Sequence, residues 1–331
     1  MNSFYPLKVE KIRQLTSNAV ELRFEILSDL ESKFNFQAGQ YITIKQTING
    51  EEVRRSYSIC SSNSEGICVG VKHIEGGKMS SFLTTNIKEG DILEVMPPTG
   101  NFILQGKNVV GICAGSGITP IISMIKAHNS NFTLIYGNQT ISSTMFYDDL
   151  NELNVKSFFV FSKEKVDGAM KGRIDATLLE SLSSNICSAD DFFICGPGEM
   201  IDEVSDFLLK KGVERSHIHF ERFIASKKKK QTEQTDEITC NVLVSLDGDD
   251  FEFQLSSDDQ SILDAAMEAG ADVPFSCKGA VCCTCKAKVK EGKAVMDANY
   301  SLSKEEVSEG YILTCQAHPI TENIVVDYDE I

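Results

Sequence analysis

The sequence predicts a multidomain chain: an antiparallel β-barrel, an α/β domain with a doubly wound parallel sheet, and a smaller α+β domain. Three observations predict it. Up to Pro97 the chain holds short β-type segments separated by Gly and Asn turns. From about Lys107 to Phe223 apolar strands alternate with helical segments. A polar, lysine-rich stretch then sets apart a cysteine-rich C-terminal third. A chain of 331 residues is too long for one core. The expected boundaries are 1–104, 105–225, a linker over 226–237, and 238–331.

Ala19–Ile26 alternates apolar and polar residues, with Val20, Leu22, Phe24 and Ile26 on one face of a strand. Tyr41–Ile44, Tyr57–Ile59 and Ile67–Val71 read as further short strands. The alternating run Asp91–Val95 meets Pro97-Pro98-Thr99-Gly100, which reads as a break. Val109–Ala114 is a buried strand, followed by a helix from about Pro120. Strands over Phe132–Tyr136, Ser157–Phe161 and Asp191–Cys195, with helices over Ser143–Leu150 and Glu199–Lys210, complete a βαβ rhythm. Lys227–Lys230 and the polar residues after it read as a solvated linker rather than a lipid or nucleic-acid patch. Beyond it a hairpin, Ile238–Leu246 with Asp250–Leu255, turns near Asp247-Gly248. A helix over Ser261–Gly270 leads into a cysteine loop.

Hydrophobic residues make up 42% and charged residues 24%, normal for a globular chain. The most apolar run, Val109–Ala114, is far too short for a bilayer. The N-terminus shows no basic flank before an apolar block, so no secretory signal, no membrane partner and a cytoplasmic location are expected. A net charge of −16 argues against nucleic acid as a partner. Residues 238–331 carry 18 Asp and Glu against six Lys, a balance of −12. That acidity fits docking to a basic patch on a partner, or solubility alone.

Eleven cysteines without a secretory signal argue against a disulfide framework. Four of them follow Cys277-x4-Cys282-x2-Cys285, with Cys315 after 29 further residues, the plant-type [2Fe–2S] ligand spacing. Small neighbours (Ser276, Gly279, Ala280, Thr284) let backbone N–H groups approach the sulfurs. The rivals are a four-cysteine zinc site and a redox Cys-x-x-Cys pair; zinc sites usually join two such pairs, and only one is present. Cys283 breaks the spacing and reads as a non-ligand facing away. The five histidines (His73, His128, His217, His219, His318) show no metal-ligand spacing and read as structural or surface residues.

Arg55-Ser56-Tyr57-Ser58 on a barrel strand is weak evidence alone, since many strands read so. Its neighbours strengthen it: Phe36–Tyr41 upstream, and Gly76-Gly77-Lys78-Met79-Ser80 downstream, opening a short helix. A Gly-Gly turn at a helix start can cradle a phosphate, and Arg55 can neutralise it. Ala114-Gly115-Ser116-Gly117-Ile118-Thr119-Pro120 follows a buried strand and opens a helix, the context of a pyrophosphate site. It is neither a full G-x-G-x-x-G nor a G-x-S-x-G elbow. Cys195-Gly196-Pro197 ends a strand at the same sheet edge, where Cys195 either approaches a nicotinamide or simply packs. After the second strand, Gly137-Asn138-Gln139-Thr140 lacks the carboxylate that often holds a ribose 2′-hydroxyl. Lys163, Lys171 and Arg173 can meet a 2′-phosphate or be solvated surface charges. NADPH is therefore expected over NADH.

Together these motifs resemble the ferredoxin–NADP reductase superfamily over nearly the whole chain, in the order flavin barrel, nucleotide domain, ferredoxin. Within it they are similar to the reductase components of phenylacetyl-CoA epoxidases. Phe275–Cys285 with its doubled cysteine, Tyr136-Gly137-Asn138, Cys195-Gly196-Pro197 and Glu221-Arg222-Phe223 carry that resemblance. It implies a β-grasp ferredoxin domain at the C-terminus. It also implies FAD, with Arg55 on a flavin phosphate, Tyr57 packed on the flavin and Ser58 near its N5 atom. Ser58, Cys195 and Glu221 are then the candidate catalytic residues, and Phe223 a further cofactor contact. The turn beside Arg55 has room for the pyrophosphate that distinguishes FAD from FMN. Gln139 stands where the family pattern has Arg, and Ala280 where it has Gly. The implied activity carries electrons from NAD(P)H through FAD and a [2Fe–2S] cluster to an oxygenase, a di-iron enzyme acting on an aromatic acyl-CoA. A flavin suits the step from a two-electron hydride to a one-electron cluster. Rieske dioxygenases, desaturases and hybrid-cluster proteins are alternative acceptors. A redox-sensing or electron-storage protein without turnover is the alternative from another class, and the intact nicotinamide-side motifs argue against it.

Overall fold

The computed structural model describes residues 4–127, 131–153, 155–223 and 238–330. They fall into two compact units, divided after Phe223. The expected linker over 226–237 and His128 lie outside the described residues.

The first unit opens with six strands, β1 (Tyr5–Thr16), β2 (Ala19–Glu25), β3 (Tyr41–Ile48), β4 (Glu51–Ser58), β5 (Cys68–Lys72) and β6 (Ile92–Thr99). Their order is β4-β3-β6-β1-β2-β5, with every pair antiparallel. Ile59 bridges Val69, and the Cys60 N–H donates to the Cys68 carbonyl at 2.8 Å, so the two edge strands meet and close the barrel. Val20, Leu22 and Phe24 point into its core, as their alternation predicts. The helix α1 (Lys78–Thr85) starts at the Gly76-Gly77 turn.

Pro97 and Pro98 do not break the chain: both lie inside β6. Thr43 pairs with Met96 and Tyr41 with Thr99, so the two prolines face Ile42 alone. Such a bulge tolerates residues without an N–H.

The same unit continues into a six-stranded parallel sheet: β7 (Val109–Ala114), β8 (Phe132–Asn138), β9 (Lys156–Phe161), β10 (Met170–Lys171), β11 (Asp191–Cys195) and β12 (Ile218–Glu221). The order β10-β9-β8-β7-β11-β12 reverses direction beside β7, where open α/β sheets bind ligands. The helices are α2 (Ile118–Ala127), α3 (Tyr147–Glu152), α4 (Ala176–Ile186) and α5 (Gly198–Lys210). Ile118, Ile121 and Ile122 of α2 fill one face together with Cys60 and Phe102 of the barrel, while Leu179, Leu182 and Val204 of α4 and α5 fill the other. The helix expected over Ser143–Leu150 starts later. A 3-10 turn occupies Ile141–Ser143, and Phe146 (φ 58) takes a left-handed conformation before α3.

Barrel and sheet are clamped together. Ser123 Oγ donates to the Ser61 carbonyl at 2.7 Å, Lys126 pairs with Glu65 at 3.0 Å, and Arg13 pairs with Asp149 at 2.8 Å. Gly70 of β5 lies directly on the start of α2: a Cβ there would stand 2.6 Å from Thr119 Cγ2 and 3.1 Å from Met145 Cε.

The C-terminal unit holds β13 (Thr239–Leu246), β14 (Asp249–Ser256), α6 (Ile262–Glu268), β15 (Lys286–Glu291), β16 (Ala294–Met296), α7 (Lys304–Ser308), β17 (Tyr311–Leu313), β18 (Ala317–Pro319) and β19 (Asn323–Asp327). The main sheet runs β14-β13-β19-β15-β17, with β13 and β19 parallel and the other pairs antiparallel. Its inner residues Val242, Val244 and Val326 share a core with Ile262, Leu263 and Ala266 of α6, a β-grasp arrangement. The hairpin turns at Asp247 (φ 54) and Gly248 (φ 85), the two positive angles of a type I′ turn. The Asp329 carboxylate accepts from both N–H groups, at 2.8 and 3.0 Å.

Gly70→Ala should destabilise the first unit by about 1–3 kcal/mol, because its methyl has no space against Thr119. Chemical denaturation followed by near-UV circular dichroism measures the loss, and an unchanged midpoint would contradict the packing described.

Candidate functional site

On the barrel side, β4 carries Arg55-Ser56-Tyr57-Ser58. Arg55 is exposed and donates from Nη1 to the Arg54 carbonyl at 2.7 Å. Ser56 Oγ lies 3.3 Å from Thr43 Oγ1 on the neighbouring strand. Tyr57 is half-buried, and burial pushes its phenol above the ordinary range. Lys78 pairs with Glu51, so the start of α1 faces the strand that bears Arg55. Of the expected turn residues, Met79 and Ser80 point inward. Met79 is 1% exposed in the barrel core, and Ser80 Oγ accepts from Ile74 N at 3.2 Å. What the turn offers a phosphate is therefore backbone N–H groups from its first helical residues. An exposed guanidinium, an aromatic plane and a helix start on facing elements fit a flavin dinucleotide.

On the sheet side, Gly115 (φ +57) and Gly117 shape the passage from β7 into α2. Tyr136 Oη donates to the Gly115 carbonyl at 2.9 Å and fixes the turn. A Cβ on Gly117 would sit 2.1 Å from the Cys195 carbonyl oxygen, so only glycine lets the turn touch Cys195-Gly196. Ser116 is half-buried, and its carbonyl accepts from Thr119 Oγ1 at 3.0 Å; Thr119 itself is buried against β5. Pro197 caps α5.

The structure brings together the three residues expected to be catalytic. Cys195 lies in register between Cys113 and Glu221, and Ser58 Oγ donates to Glu221 Oε2 at 3.2 Å across barrel and sheet. Cys195 is fully buried; burial first, and the Glu221 charge second, push its thiol well above its usual range. A thiol so buried is a packing group and a poor nucleophile. Phe223 is 39% exposed just after β12. Lys163, Lys171 and Arg173 are all exposed, and the Lys163 N–H donates to the Gln139 carbonyl at 2.9 Å.

Two residues escaped sequence reasoning. Glu164 accepts from Ile141 N at 2.8 Å, so the loop after β9 lends a carboxylate to the segment after β8, which has none of its own. Lys72, the last residue of β5, reaches toward the Gly115 turn from the barrel. Neither stands in a recognisable motif.

In the C-terminal unit the four predicted ligands fall in two pairs. Cys277 and Cys282 Sγ are 3.1 Å apart, and Cys285 lies within hydrogen-bonding reach of Cys315. Among the described residues no three ligand-type side chains surround a single point. Each pair would hold one iron of a [2Fe–2S] cluster. A hydrogen bond from Cys282, and after it the N–H groups of Gly279 and Val281, bring the Cys277 thiol below its usual range. The Ala280 N–H serves Cys315 in the same way. Cys283 belongs to neither pair: its Sγ lies 3.6 Å from the Ser301 carbonyl, and burial pushes its thiol up to about 11. Thr314 anchors the distant ligand. Its N–H and Oγ1 both donate to the Cys285 carbonyl, at 3.1 and 2.9 Å, and Tyr328 Oη donates to Thr314 Oγ1 at 2.6 Å.

A flavin barrel, a dinucleotide sheet and a paired-cysteine loop define an NAD(P)H-dependent flavin iron–sulfur oxidoreductase. Comparison with known proteins agrees along the chain. Residues 6–103 match the oxidoreductase FAD-binding domain, 112–206 the oxidoreductase NAD-binding domain, and 244–319 the 2Fe-2S iron-sulfur cluster binding domain. The chain is 41% identical to one of the subunits of the 1,2-phenylacetyl-CoA epoxidase of Escherichia coli (strain K12), over 99% of both chains. It is 30% identical to the ferredoxin reductase component of 3-ketosteroid-9-alpha-monooxygenase of Rhodococcus rhodochrous, over 97% of this chain and 96% of that one. Among solved structures, phthalate dioxygenase reductase aligns with a TM-score of 0.62 at 24% identity over 98% of both chains. An intact type IV self-sufficient cytochrome P450 monooxygenase aligns with a TM-score of 0.77 at 20% identity, over 98% of this chain and 41% of that one. The chain belongs to the ferredoxin–NADP reductase superfamily, among its members with a C-terminal [2Fe–2S] domain. Its cofactors are FAD and a [2Fe–2S] cluster, with a pyridine nucleotide as electron source. When bound, the flavin takes up electrons in pairs and releases them singly, and the cluster carries one at a time.

Tyr328→Phe removes one buried hydrogen bond from the Thr314 anchor and should lower the stability of the C-terminal unit by about 1 kcal/mol. Urea titration followed by the visible cluster absorbance checks this; a loss below measurement error would show that Thr314 holds Cys285 unaided.

Proposed function

We propose that this chain is the reductase component of an oxygenase system and passes electrons to a di-iron monooxygenase of the phenylacetyl-CoA epoxidase type. The observation that carries this reading is the 41% identity, spanning both full chains, with a component of that epoxidase. The −12 balance of residues 238–331 supports docking to a basic face of the oxygenase. The domain boundaries 1–104, 105–225 and 238–331 belong to the same reading and are supported by the three matched ranges. Among the described residues no helix is long and apolar enough to cross a membrane. The reading places the chain in the cytoplasm. Arg55, Tyr57 and the Gly77–Lys78 backbone hold the flavin. Ser58, hydrogen-bonded to Glu221, holds a proton-bearing oxygen at its reacting edge, and Cys195 fills the space behind. Reconstitution tests the reading: phenylacetyl-CoA should be converted by an epoxidase oxygenase component only when this chain and NAD(P)H are present. Turnover with a Rieske oxygenase but not with the epoxidase would overturn it.

Within that reading the cluster is the exit for electrons. Cys315→Ser should lose the cluster absorbance and nearly all cytochrome c reduction, while ferricyanide reduction stays within about twofold of the parent. Equal loss of both activities would contradict a separate terminal cluster.

NADPH is the nucleotide we assign, because Lys163, Lys171 and Arg173 offer three exposed cations near the end of β9, while the Glu164 carboxylate is already engaged by Ile141 N. Lys163→Ala should raise KM for NADPH roughly 3- to 10-fold and leave NADH almost unchanged. Glu164→Gln should shift the kcat/KM ratio further toward NADPH. A parent kcat/KM for NADH equal to or above that for NADPH refutes the assignment.

A further inference from the structure

In a trans peptide the C=O and the N–H point in opposite directions, so a donor that holds the carbonyl also sets the aim of the N–H behind it. The Gly279 N–H donates to Cys277 Sγ at 3.3 Å. The carbonyl of the same peptide belongs to Lys278, and it accepts from Gln316 Nε2 at 3.2 Å. Gln316 ends the 3-10 turn Thr314–Gln316 that carries Cys315, and its Nε2 also donates to the Cys315 carbonyl at 2.9 Å. Two carbonyl acceptors require the NH2 side of the amide, and both of its hydrogens are then used. Gln316 thus ties the loop that bears Cys277 to the segment that bears the distant cysteine. The peptide it holds follows Lys278, whose left-handed backbone (φ 47) is costly for a residue with a side chain.

The peptide between Ala280 and Val281 is held in another way. The Val281 N–H also donates to Cys277. Behind it the Ala280 carbonyl accepts from Tyr300 N at 3.1 Å and from Ser301 Oγ at 3.3 Å. Ser301 is itself fixed, because Asn299 Oδ1 accepts from Ser301 N at 3.2 Å and from Leu302 N at 2.8 Å. The Ala280 carbonyl therefore keeps a backbone donor whatever side chain stands at 301, whereas the hold on the Lys278 carbonyl comes from a side chain.

We propose that Gln316 is a positioning residue for the electron-accepting centre: its amide aims the Gly279 N–H at the Cys277 sulfur and thereby favours the reduced state. The assignment rests on Cys277 being a cluster ligand. A hydrogen bond to a ligating sulfur offsets part of the negative charge that an added electron brings, so weakening it makes reduction harder.

The test is a redox titration of the flavin-loaded, cluster-loaded protein, followed by the EPR signal of the reduced cluster. Gln316→Met keeps the length of the side chain and removes the donor. It should retain the parent's iron content and show a reduced-to-oxidised ratio about tenfold lower at the parent's midpoint, a fall of about 59 mV for one electron. Ser301→Ala should shift the midpoint by less than half as much, since Tyr300 N still holds the Ala280 carbonyl. Gln316→Lys restores a donor and should return the midpoint to the parent value or above it. A Gln316→Met midpoint within error of the parent overturns the assignment, and so does a Gln316→Lys midpoint as low as that of Gln316→Met. If Gln316→Met binds no cluster, Gln316→Lys decides: a restored cluster at the parent's potential supports donation to the two carbonyls, and a cluster still missing overturns it. A Ser301→Ala shift as large as that of Gln316→Met would also overturn it, and would move the aiming role to Asn299–Leu302. A visible spectrum unchanged in Cys277→Ser would remove the ligand reading itself, and this inference with it.

Discussion

Where β7 turns into α2, the backbone runs so close to the end of β11 that a Cβ on Gly117 would stand 2.1 Å from the Cys195 carbonyl oxygen. Much of the first unit depends on this approach. It makes the start of α2 and Cys195–Pro197 one continuous surface at the switch point of the sheet. On its other side α2 meets Gly70, where a Cβ would stand 2.6 Å from Thr119. Barrel, helix start and β11 are thus stacked at distances that exclude larger residues. That stacking brings Ser58 within 3.2 Å of Glu221, 163 residues away in sequence. Hydride transfer needs its two partners held in near-contact, and a seam that cannot slide meets that need. The ion pairs of Arg13 with Asp149 and Lys126 with Glu65 secure the same seam from its charged side. They bound a cavity of about 230 Å³ also lined by Arg23 and Cys68.

The sequence was informative where local chemistry is self-sufficient. Val109–Ala114 and Asp191–Cys195 were legible to the residue, because central parallel strands are apolar on both faces and end abruptly at glycine. The Asp247-Gly248 turn was legible because both positions need positive φ. β1 was not: of its twelve residues only Leu7, Val9 and Thr16 are buried, so no alternation stands out. β6 was cut short because two prolines normally end a strand, and only the register against β3 reveals the bulge that holds them. β12 is four residues long with only Ile218 buried, too little for a pattern, whereas α4 does carry a helical signal, Leu178, Leu179, Leu182 and Ile186 behind an Asp175 cap. At the site, the glycine turns and the cysteine spacing could be read, since each is contiguous or evenly spaced. The positions of Lys72 beside the Gly115 turn and of Glu164 at Ile141 could not, because they arise from strands and loops that meet only in the folded chain.

The cysteine loop shows a different balance between sequence and structure. Its spacing predicts four ligands, yet the pairing of Cys277 with Cys282 and of Cys285 with Cys315 is a property of the backbone. Lys278 (φ 47) and Ala280 (φ 59) both adopt the left-handed region, which turns successive N–H groups toward the sulfurs. Ala280 is therefore not a neutral replacement for glycine. A non-glycine residue in this region costs roughly 1–2 kcal/mol, and here its methyl is wholly buried in the core that also holds Cys285 and Cys315. Its carbonyl accepts from Tyr300 N at 3.1 Å, which helps hold the strained turn in place.

Electrostatics gives these N–H groups their importance. Four of the six lysines in residues 238–331 are already tied to carboxylates: Lys278 to Asp264, Lys286 to Glu306, and Lys288 and Lys290 to Glu330. Little free positive charge remains to offset the acidic excess, and the four thiolates predicted as ligands add to it. A negative surrounding resists an arriving electron, and hydrogen bonds to the sulfurs relieve that resistance. The backbone donors of Gly279, Ala280 and Val281 are thus the local counterweight to an acidic domain. They are uncharged, so they stabilise the sulfurs without neutralising the surface. The domain keeps a long-range negative field that can steer a basic partner, while near the sulfurs the backbone supplies the positive ends of its dipoles.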